Sequence, residues 1–418
     1  MNNTSETAHQ ITQESFENLE SLQFNNRKSG QRKTSLEDII EFVYSNFDIR
    51  KNIISQDYEF KAKEDKDFKE LNLSDIWIEC HRNNHTGATP EKIKNIIKSS
   101  QTADYNPFLD YLENLPQWDG FDYFEKLATY LNTHETDKYK FVYHFKKWFV
   151  RMIRCMIDEK YFNKNMIVLV QEEQNGGKSF FCRWLVPNPL LKYYTETIVD
   201  GKDEDIQLTT NFLICYDELS KLTNASIENI KSLMSRSTVN VRMPYEAKQS
   251  TSYRRCSFIG NTNSKEFITD ETGTIRFICF ELLSKINFAY AKEMNTDDLY
   301  AQAYYLYKSQ RFDYEISNLD SAQIQEYNKR FFVVTSEIDL IRKYFRKPTD
   351  EEIENESAEI QHLSTTEVLQ ELNRLSNLKL NLNKVGKGLR FLGYKYVSKW
   401  KKTMGVYGYY ICLNHDVE

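Results

Sequence analysis

IVLVQEEQNGGKSFFCRWL, residues 167–185, passes from an apolar strand through a glycine-bearing loop into a helix. The loop ends Gly176-Gly177-Lys178-Ser179, the latter part of the phosphate-binding pattern G-x-x-x-x-G-K-[ST], in the strand–loop–helix context that the pattern requires. Each residue type has a reason. Glycines let backbone N–H groups close on phosphate oxygens, and the first turn of the helix, Phe180 included, adds further N–H groups and the positive end of its dipole. Lys178 would sit on the β- and γ-phosphates of ATP, and the Ser179 hydroxyl on Mg²⁺. Glu172 stands where the pattern has its first glycine. Alone, Gly-Gly-Lys-Ser also describes a glycine-rich turn ahead of a surface lysine.

Outward from this stretch, strand-like runs at 166–170, 212–216, 256–260 and 276–282 alternate with helical segments. Continuous apolar strands, rather than alternating ones, fit a sheet covered by helices on both faces. Residues 165–345 therefore read as an α/β domain with C-terminal helices. The run NFLICYDELSKL ends its strand in adjacent carboxylates. Asp217 would complete the Mg²⁺ shell, and Glu218 would orient and polarise the attacking water. RRCSFIGNTN ends in Asn261 and Asn263, and Asn263 can hydrogen-bond a γ-phosphate or that water. Arg276 offers a guanidinium that stabilises transition-state charge, and it can act on a neighbouring subunit. Singly, these are a carboxylate pair, a capping Asn and a surface Arg; their order gives them weight.

That order resembles superfamily 3 helicases of the AAA+ class, and more closely the virulence-associated protein E family of phages and mobile elements. The family's "NPxxxYLxxLxWDG" stretch is matched by Asn106, Pro107, Tyr111, Leu112, Leu115, Trp118, Asp119 and Gly120. Its "RxPY…RR…GTTN…GxRRF" pattern is matched by Arg242, Pro244, Tyr245, Arg254, Arg255, Gly260, Thr262, Asn263, Gly273, Arg276 and Phe277. The resemblance covers about residues 40–285. The chain departs from it at Glu172, at Asn261 where Thr is usual, and at Ile275, which replaces the first of two arginines.

The resemblance implies a P-loop AAA+ core that binds ATP and Mg²⁺ and works as a DNA helicase or translocase. Such a chain assembles as a homo-oligomeric ring, a hexamer, in replication of a phage, plasmid or integrated element, beside a separate primase. The catalytic set would be Lys178, Asp217, Glu218, Asn263 and Arg276, with Gly176, Gly177, Lys178, Ser179 and Phe180 on the nucleotide and Ser179 and Asp217 on the metal. Residues 239–242 and 253–256 would pair as a hairpin whose tip enters the ring pore. There Lys248 would contact phosphate and Tyr245 would stack on bases of a single strand. A surface hairpin with an exposed lysine is the other reading. For the whole chain the alternative is a nucleotide-binding DNA scaffold or replication initiator with weak or no hydrolysis.

Around the core, residues 1–34 are polar and aperiodic and read as a flexible N-terminus. Residues 35–104 read as a small helical or α+β domain, with helices over 36–47 and 90–97 and extended segments at 50–55 and 76–80. Residues 105–164 read as an aromatic-rich helical collar, and 346–361 as an acidic linker. From Leu372 through His415 there is no acid at all. Helices over 365–375 and 382–392, then a hairpin over 394–412, give 362–418 the order of a winged helix, whose second helix enters the major groove of duplex DNA. Lys384, Lys387 and Arg390 on that helix, and Lys401 and Lys402 at the hairpin, are the candidate DNA contacts. A basic face that docks a protein is the alternative.

Composition sets the outer limits. With 40% hydrophobic residues, 13 Gly and 7 Pro, a fibrous or largely disordered chain is excluded. A net charge of −6 excludes a uniformly basic DNA binder, so any DNA contact must be local. No apolar run approaches the roughly 18 residues of a membrane span, and no signal segment opens the chain. Seven Cys without a C-x-x-C pair argue against a disulfide framework or zinc ribbon. The expected location is the cytoplasm.

Overall fold

In the computed structural model, residues 35–196, 202–219, 223–241, 250–268, 274–355, 359–376, 378–401 and 404–414 are described. Residues 35–53 with 57–105 form one unit, and 54–56 with 106–414 a second. In the first unit α1 (Leu36–Asn46) opens with a capping box, in which Ser35 Oγ accepts from the Asp38 N–H and Asp38 accepts from the Ser35 N–H. Strands β1 (Phe47–Asn52), β2 (Tyr58–Ala62), β3 (Lys69–Glu70) and β4 (Ala103–Tyr105) are ordered β3-β2-β1-β4, with only β1 and β4 parallel. Helices α2 (Leu73–Arg82) and α3 (Pro90–Ile97) close a core of Ile39, Val43, Phe60, Ile76, Cys80, Ile93 and Ile97. The extended segment expected at 76–80 is therefore wrong. Ile76 and Cys80 lie one helical turn apart, both fully buried, and Asn72 caps the helix by accepting from the Ser74 N–H.

The second unit is built on a parallel sheet of β5 (Met166–Val170), β6 (Tyr194–Thr195), β7 (Leu213–Tyr216), β10 (Ser257–Thr262) and β11 (Phe277–Glu281). The order is β11-β5-β10-β7-β6, and every neighbouring pair is parallel. β5 is buried along its whole length, as its unbroken apolar run requires. Met166, Val168 and Val170 pack on one face with Ile227, Ile230 and Leu233 of α9 (Asn224–Ser235). On the opposite face Phe280 meets Phe141 of α6 (Glu135–Ile157), ring centroids 4.8 Å apart. Phe145, Trp148, Phe149 and Met152 of α6 are fully buried as well, each worth about 1.5–3 kcal/mol in apolar burial.

Ahead of α6, the Asn-Pro and Trp-Asp-Gly residues do structural work. Asn106 caps α4 (Pro107–Glu113) by accepting from the Phe108 and Leu109 N–H groups. Tyr111 donates to Asp297 of α11 (Thr296–Ser309) at 2.6 Å. Asp119 accepts from the Phe121 N–H, and Gly120 takes φ +90°, a turn before α5 (Tyr123–Ala128) that a side chain would strain.

α6 is also pinned by charge. Lys147 and Asp320, the latter on α12 (Asn318–Asn328), pair at 3.0 Å and are almost wholly buried. Burial pushes the Asp320 carboxyl up, but the Ser317 N–H and hydroxyl and the Lys147 ammonium outweigh it and hold it down at about 2. Asp320→Asn would leave Lys147 buried opposite a neutral group, so we expect a loss of about 3–5 kcal/mol in urea unfolding. The folded value lies below the ordinary 3.8. The carboxylate's contribution is therefore present above about pH 4 and is lost as the pH falls toward 2; in Asp320→Asn this acid-dependent part should vanish.

The tail begins earlier than the sequence indicates. α13 (Ser336–Tyr344) packs against α15 (Thr365–Ser376) and α16 (Leu382–Phe391) in one core of Ile341, Phe345, Val368, Leu372, Val385, Leu389, Tyr409 and Ile411. A Cβ at Gly388 would fall 3.0 Å from Ile341 Cδ1, so glycine sets how closely α16 approaches α13. Strand β15 (Met404–Leu413) pairs with β12 (Phe345–Arg346), β13 (Ile360–Leu363) and β14 (Tyr396–Lys401), all antiparallel. The acidic stretch at 346–361 is thus not a plain linker. It contains α14 (Asp350–Glu354) and the start of β13, and its acids meet bases: Glu352 and Glu359 both lie 2.9 Å from Arg346, and Asp350 lies 2.6 Å from Lys395. No helix among the described residues is long and apolar enough to cross a membrane.

Candidate nucleotide-binding site

Ligands of parallel sheets collect at the carboxyl ends of the strands, and all but one of the expected nucleotide and metal residues converge there. The loop after β5 runs into α7 (Lys178–Trp184), with Gly177 at its N-cap in a left-handed conformation, φ +91°. Asn175, also left-handed at φ +58°, makes the preceding bend. Lys178 is only 5% exposed. Its Nζ donates to Asn263 Oδ1 at 2.7 Å and to the Gln171 carbonyl at 3.3 Å. Burial pulls its pKa below the ordinary lysine value, while the charges of Asp217 and Glu218 oppose that pull. A desolvated ammonium beside open backbone N–H groups suits a polyphosphate.

Asp217 and Glu218 follow β7. Ser179 Oγ donates to Asp217 Oδ1 at 2.9 Å, which sets two hard oxygens side by side at the start of α7. Glu218 is held at φ +56°, and its N–H donates to Asn261 Oδ1 at 3.3 Å. The Asn261 amide lies 3.4 Å from Ser179 Oγ. Asn261, at a position where the resembled family carries Thr, therefore bridges the loop serine and the second carboxylate. The oxygens fit Mg²⁺, which takes few protein ligands and completes an octahedron with phosphate and water. Among the described residues no group of three or more His, Cys, Asp or Glu has metal-site geometry, so such an ion would depend on the nucleotide for ligands.

Gln171 was not anticipated. It is 1% exposed, its side chain lies beneath Gly176, and a Cβ there would fall 1.8 Å from its Oε1. Neither amide atom has a hydrogen-bond partner among the described residues. The one signal was a polar residue directly ending an apolar strand.

Arg276 is not brought to this cluster. It sits in the turn Thr274–Arg276 and donates through Nε to Ser235 Oγ at 3.3 Å. Phe277 pairs with Met166 and Glu281 with Val170, so Arg276 lies at the amino-terminal edge of the sheet. The loop bearing Lys178 lies at the other edge, roughly 13 Å of strand away at about 3.3 Å per residue.

The hairpin exists, in a different register. β8 (Thr238–Val241) pairs with β9 (Ser250–Tyr253), Thr238 opposite Tyr253 and Val241 opposite Ser250. Past Tyr253, the rest of the expected partner, 254–256, instead turns inward. Arg254 is fully buried and donates to the carbonyls of Arg236, Asn163, Met234 and Cys256, while Arg255 pairs with Glu159 at 2.8 Å. This double-arginine pair thus anchors the hairpin base. Tyr245, Lys248, Arg242, Pro244, Gly273 and Lys402 lie outside the described residues. Lys384, Lys387 and Arg390 are all exposed on α16, three residues apart on one face, while Val385 and Leu389 are buried. Lys401 ends β14 opposite Met404.

No curated protein matches the chain. Among solved structures, the chain is similar to the apo structure of the NrS-1 C-terminal region (305–718), with 11% identity and a TM-score of 0.49, over 92% of this chain and 100% of that one. An A-form apo structure of the same region gives 12% identity and 0.48, over 92% and 100%. The family model described as the virulence-associated protein E-like domain matches residues 112–333, more than half of the 418 residues. It takes in the loop bearing Lys178 and Ser179, both carboxylates, Asn261 and Asn263 at the end of β10, and Arg276, and the chain belongs to the virulence-associated protein E-like family.

Proposed function

We propose that this protein is a Mg²⁺-dependent ATPase that moves along DNA as a homo-oligomeric ring, a hexamer, in replication of a phage, plasmid or integrated element. One observation carries the reading: Lys178, Ser179, Asp217, Glu218 and Asn263 meet at the carboxyl edge of a parallel sheet, while Arg276 lies at the opposite edge. On this reading the sheet is an AAA+ core of the superfamily 3 type, and Arg276 serves the P-loop of a neighbour. ATP turnover measured with and without single-stranded DNA tests it. Stimulation by the single strand is expected; nucleotide binding without turnover would favour a DNA-binding scaffold or initiator instead. A separate primase would supply the primers.

The tail, on this reading, is a winged helix with α16 in the major groove. Lys384→Ala, Lys387→Ala and Arg390→Ala together should weaken duplex binding without unfolding the tail, because all three side chains are exposed. The log–log salt dependence should flatten by about one unit for each phosphate that is no longer neutralised. Unchanged affinity and slope in a fluorescence-anisotropy titration would mean that the basic face meets a protein.

A further inference from the structure

Phe180 and Phe288 stand about half exposed, at 52% and 46%, on the flank of the phosphate-binding loop. Phe180 follows Ser179 on α7, and Phe288 arrives from the segment between β11 and α10 (Tyr290–Glu293). That segment is strapped to the loop. The Ile286 N–H donates to the Gly176 carbonyl at 3.0 Å, and Lys285 lies 3.5 Å from Glu173. The Phe288 ring packs on Gly177 so closely that a Cβ there would fall 2.6 Å from its Cζ. From the other side the segment is held by residues 130–132. The Leu283 N–H donates to the Asn132 carbonyl, the Asn287 N–H to the Tyr130 carbonyl, and the Asn132 amide to the Lys285 carbonyl. Phe180 and Phe288 meet edge to face at 5.6 Å, with Tyr290 fully buried behind them.

The result is a half-exposed aromatic ledge beside the loop. Its position says what covers it. A nucleotide with its phosphates on Gly176–Ser179 would carry its sugar and base beyond the loop, and these two half-exposed rings occupy that loop's flank. A flat π system is the ligand such a surface stacks best. Two polar groups beside the ledge are engaged with backbone: Asn287 Oδ1 accepts from the Ala289 N–H, and the Asn132 amide is spent on the Lys285 carbonyl.

Resting on the nucleotide reading above, we propose that Phe180 and Phe288 form the wall on which the base of a bound purine nucleoside triphosphate packs, with Phe288 the principal stacking contact. Recognition is by stacking area, so adenine and guanine are held alike.

Calorimetric titration of the full chain with Mg²⁺ and either ATP, GTP or inorganic tripolyphosphate tests this. The wild type should bind ATP and GTP within about threefold of each other and both more tightly than tripolyphosphate. Phe288→Ala should weaken ATP about tenfold or more and leave tripolyphosphate unchanged, and Phe288→Trp should restore ATP. Equal weakening of ATP and tripolyphosphate in Phe288→Ala would overturn the proposal, because the ring would then only prop Gly177. So would unchanged ATP affinity, or a wild type that binds ATP no better than tripolyphosphate, although either leaves the phosphate site standing. A wild type that binds neither ligand overturns the nucleotide reading and the ledge together.

Discussion

Glu218→Gln should keep ATP bound and all but stop its turnover, with kcat reduced by about 10²–10⁴. The side chain belongs to a residue held at φ +56° by the Asn261 amide, an uncommon conformation for glutamate. Such placement suits a group that must meet a water molecule, not the phosphates. Gln keeps the shape and loses the basicity, so the ground state is spared. Lys178→Ala should fail at both steps, losing about 10³-fold or more in kcat/KM. Its ammonium is buried at the foot of the loop, on Asn263 and the Gln171 carbonyl. A triphosphate would draw it off those partners, and alanine offers no charge in its place. Steady-state turnover alongside equilibrium nucleotide binding separates the two variants. Full turnover by Lys178→Ala would overturn the P-loop assignment.

The parts of this site legible in the sequence are those fixed by local pattern. β5 shows as an unbroken apolar run, the loop by its glycines and Lys-Ser, and β7 by the carboxylates that end it. What stayed hidden depends on contacts between distant segments. Asn261 gains its role only when β10 lies between β5 and β7, which puts it within reach of both Ser179 and Glu218. Phe288 gains its role only when the segment after β11 folds back over Gly177. Charge misled in two places. Arg254 reads as part of the hairpin strand, yet four carbonyls satisfy its buried guanidinium, and the paired strand ends at Tyr253. The acids of 350–359 read as a solvated linker, yet Arg346 and Lys395 fold them onto the tail. At 76–80 the error was one of period. Five residues with β-branched and aromatic content look extended, and only the burial of Ile76 with Cys80 marks the helix.

On the proposed function, Arg276→Ala should lower turnover by about 10³–10⁵ and leave ATP binding nearly intact, because a finger acts on charge that develops in the transition state. The register of β11 against β5 puts Arg276 at the opposite edge from its own P-loop, and no rotamer of an arginine spans that strand. Its tether to Ser235 at the end of α9 leaves the guanidinium partly exposed, as the proposed role on another subunit's nucleotide requires. Complementation follows from this. An Arg276→Ala subunit keeps Lys178, and a Lys178→Ala subunit keeps Arg276, so the proposed ring, when it mixes them, would contain interfaces with both parts intact. At equal proportions and random order, about a quarter of the interfaces are of this kind, given that a ring interface is head-to-tail. Each variant alone should be inactive, and the mixture should recover turnover that peaks near equal proportions. If mixed rings form and no ratio restores activity, Arg276 does not act across the interface. Its bond to Ser235 would then be its function, and the effect of Arg276→Ala would be on the packing of α9 against the sheet.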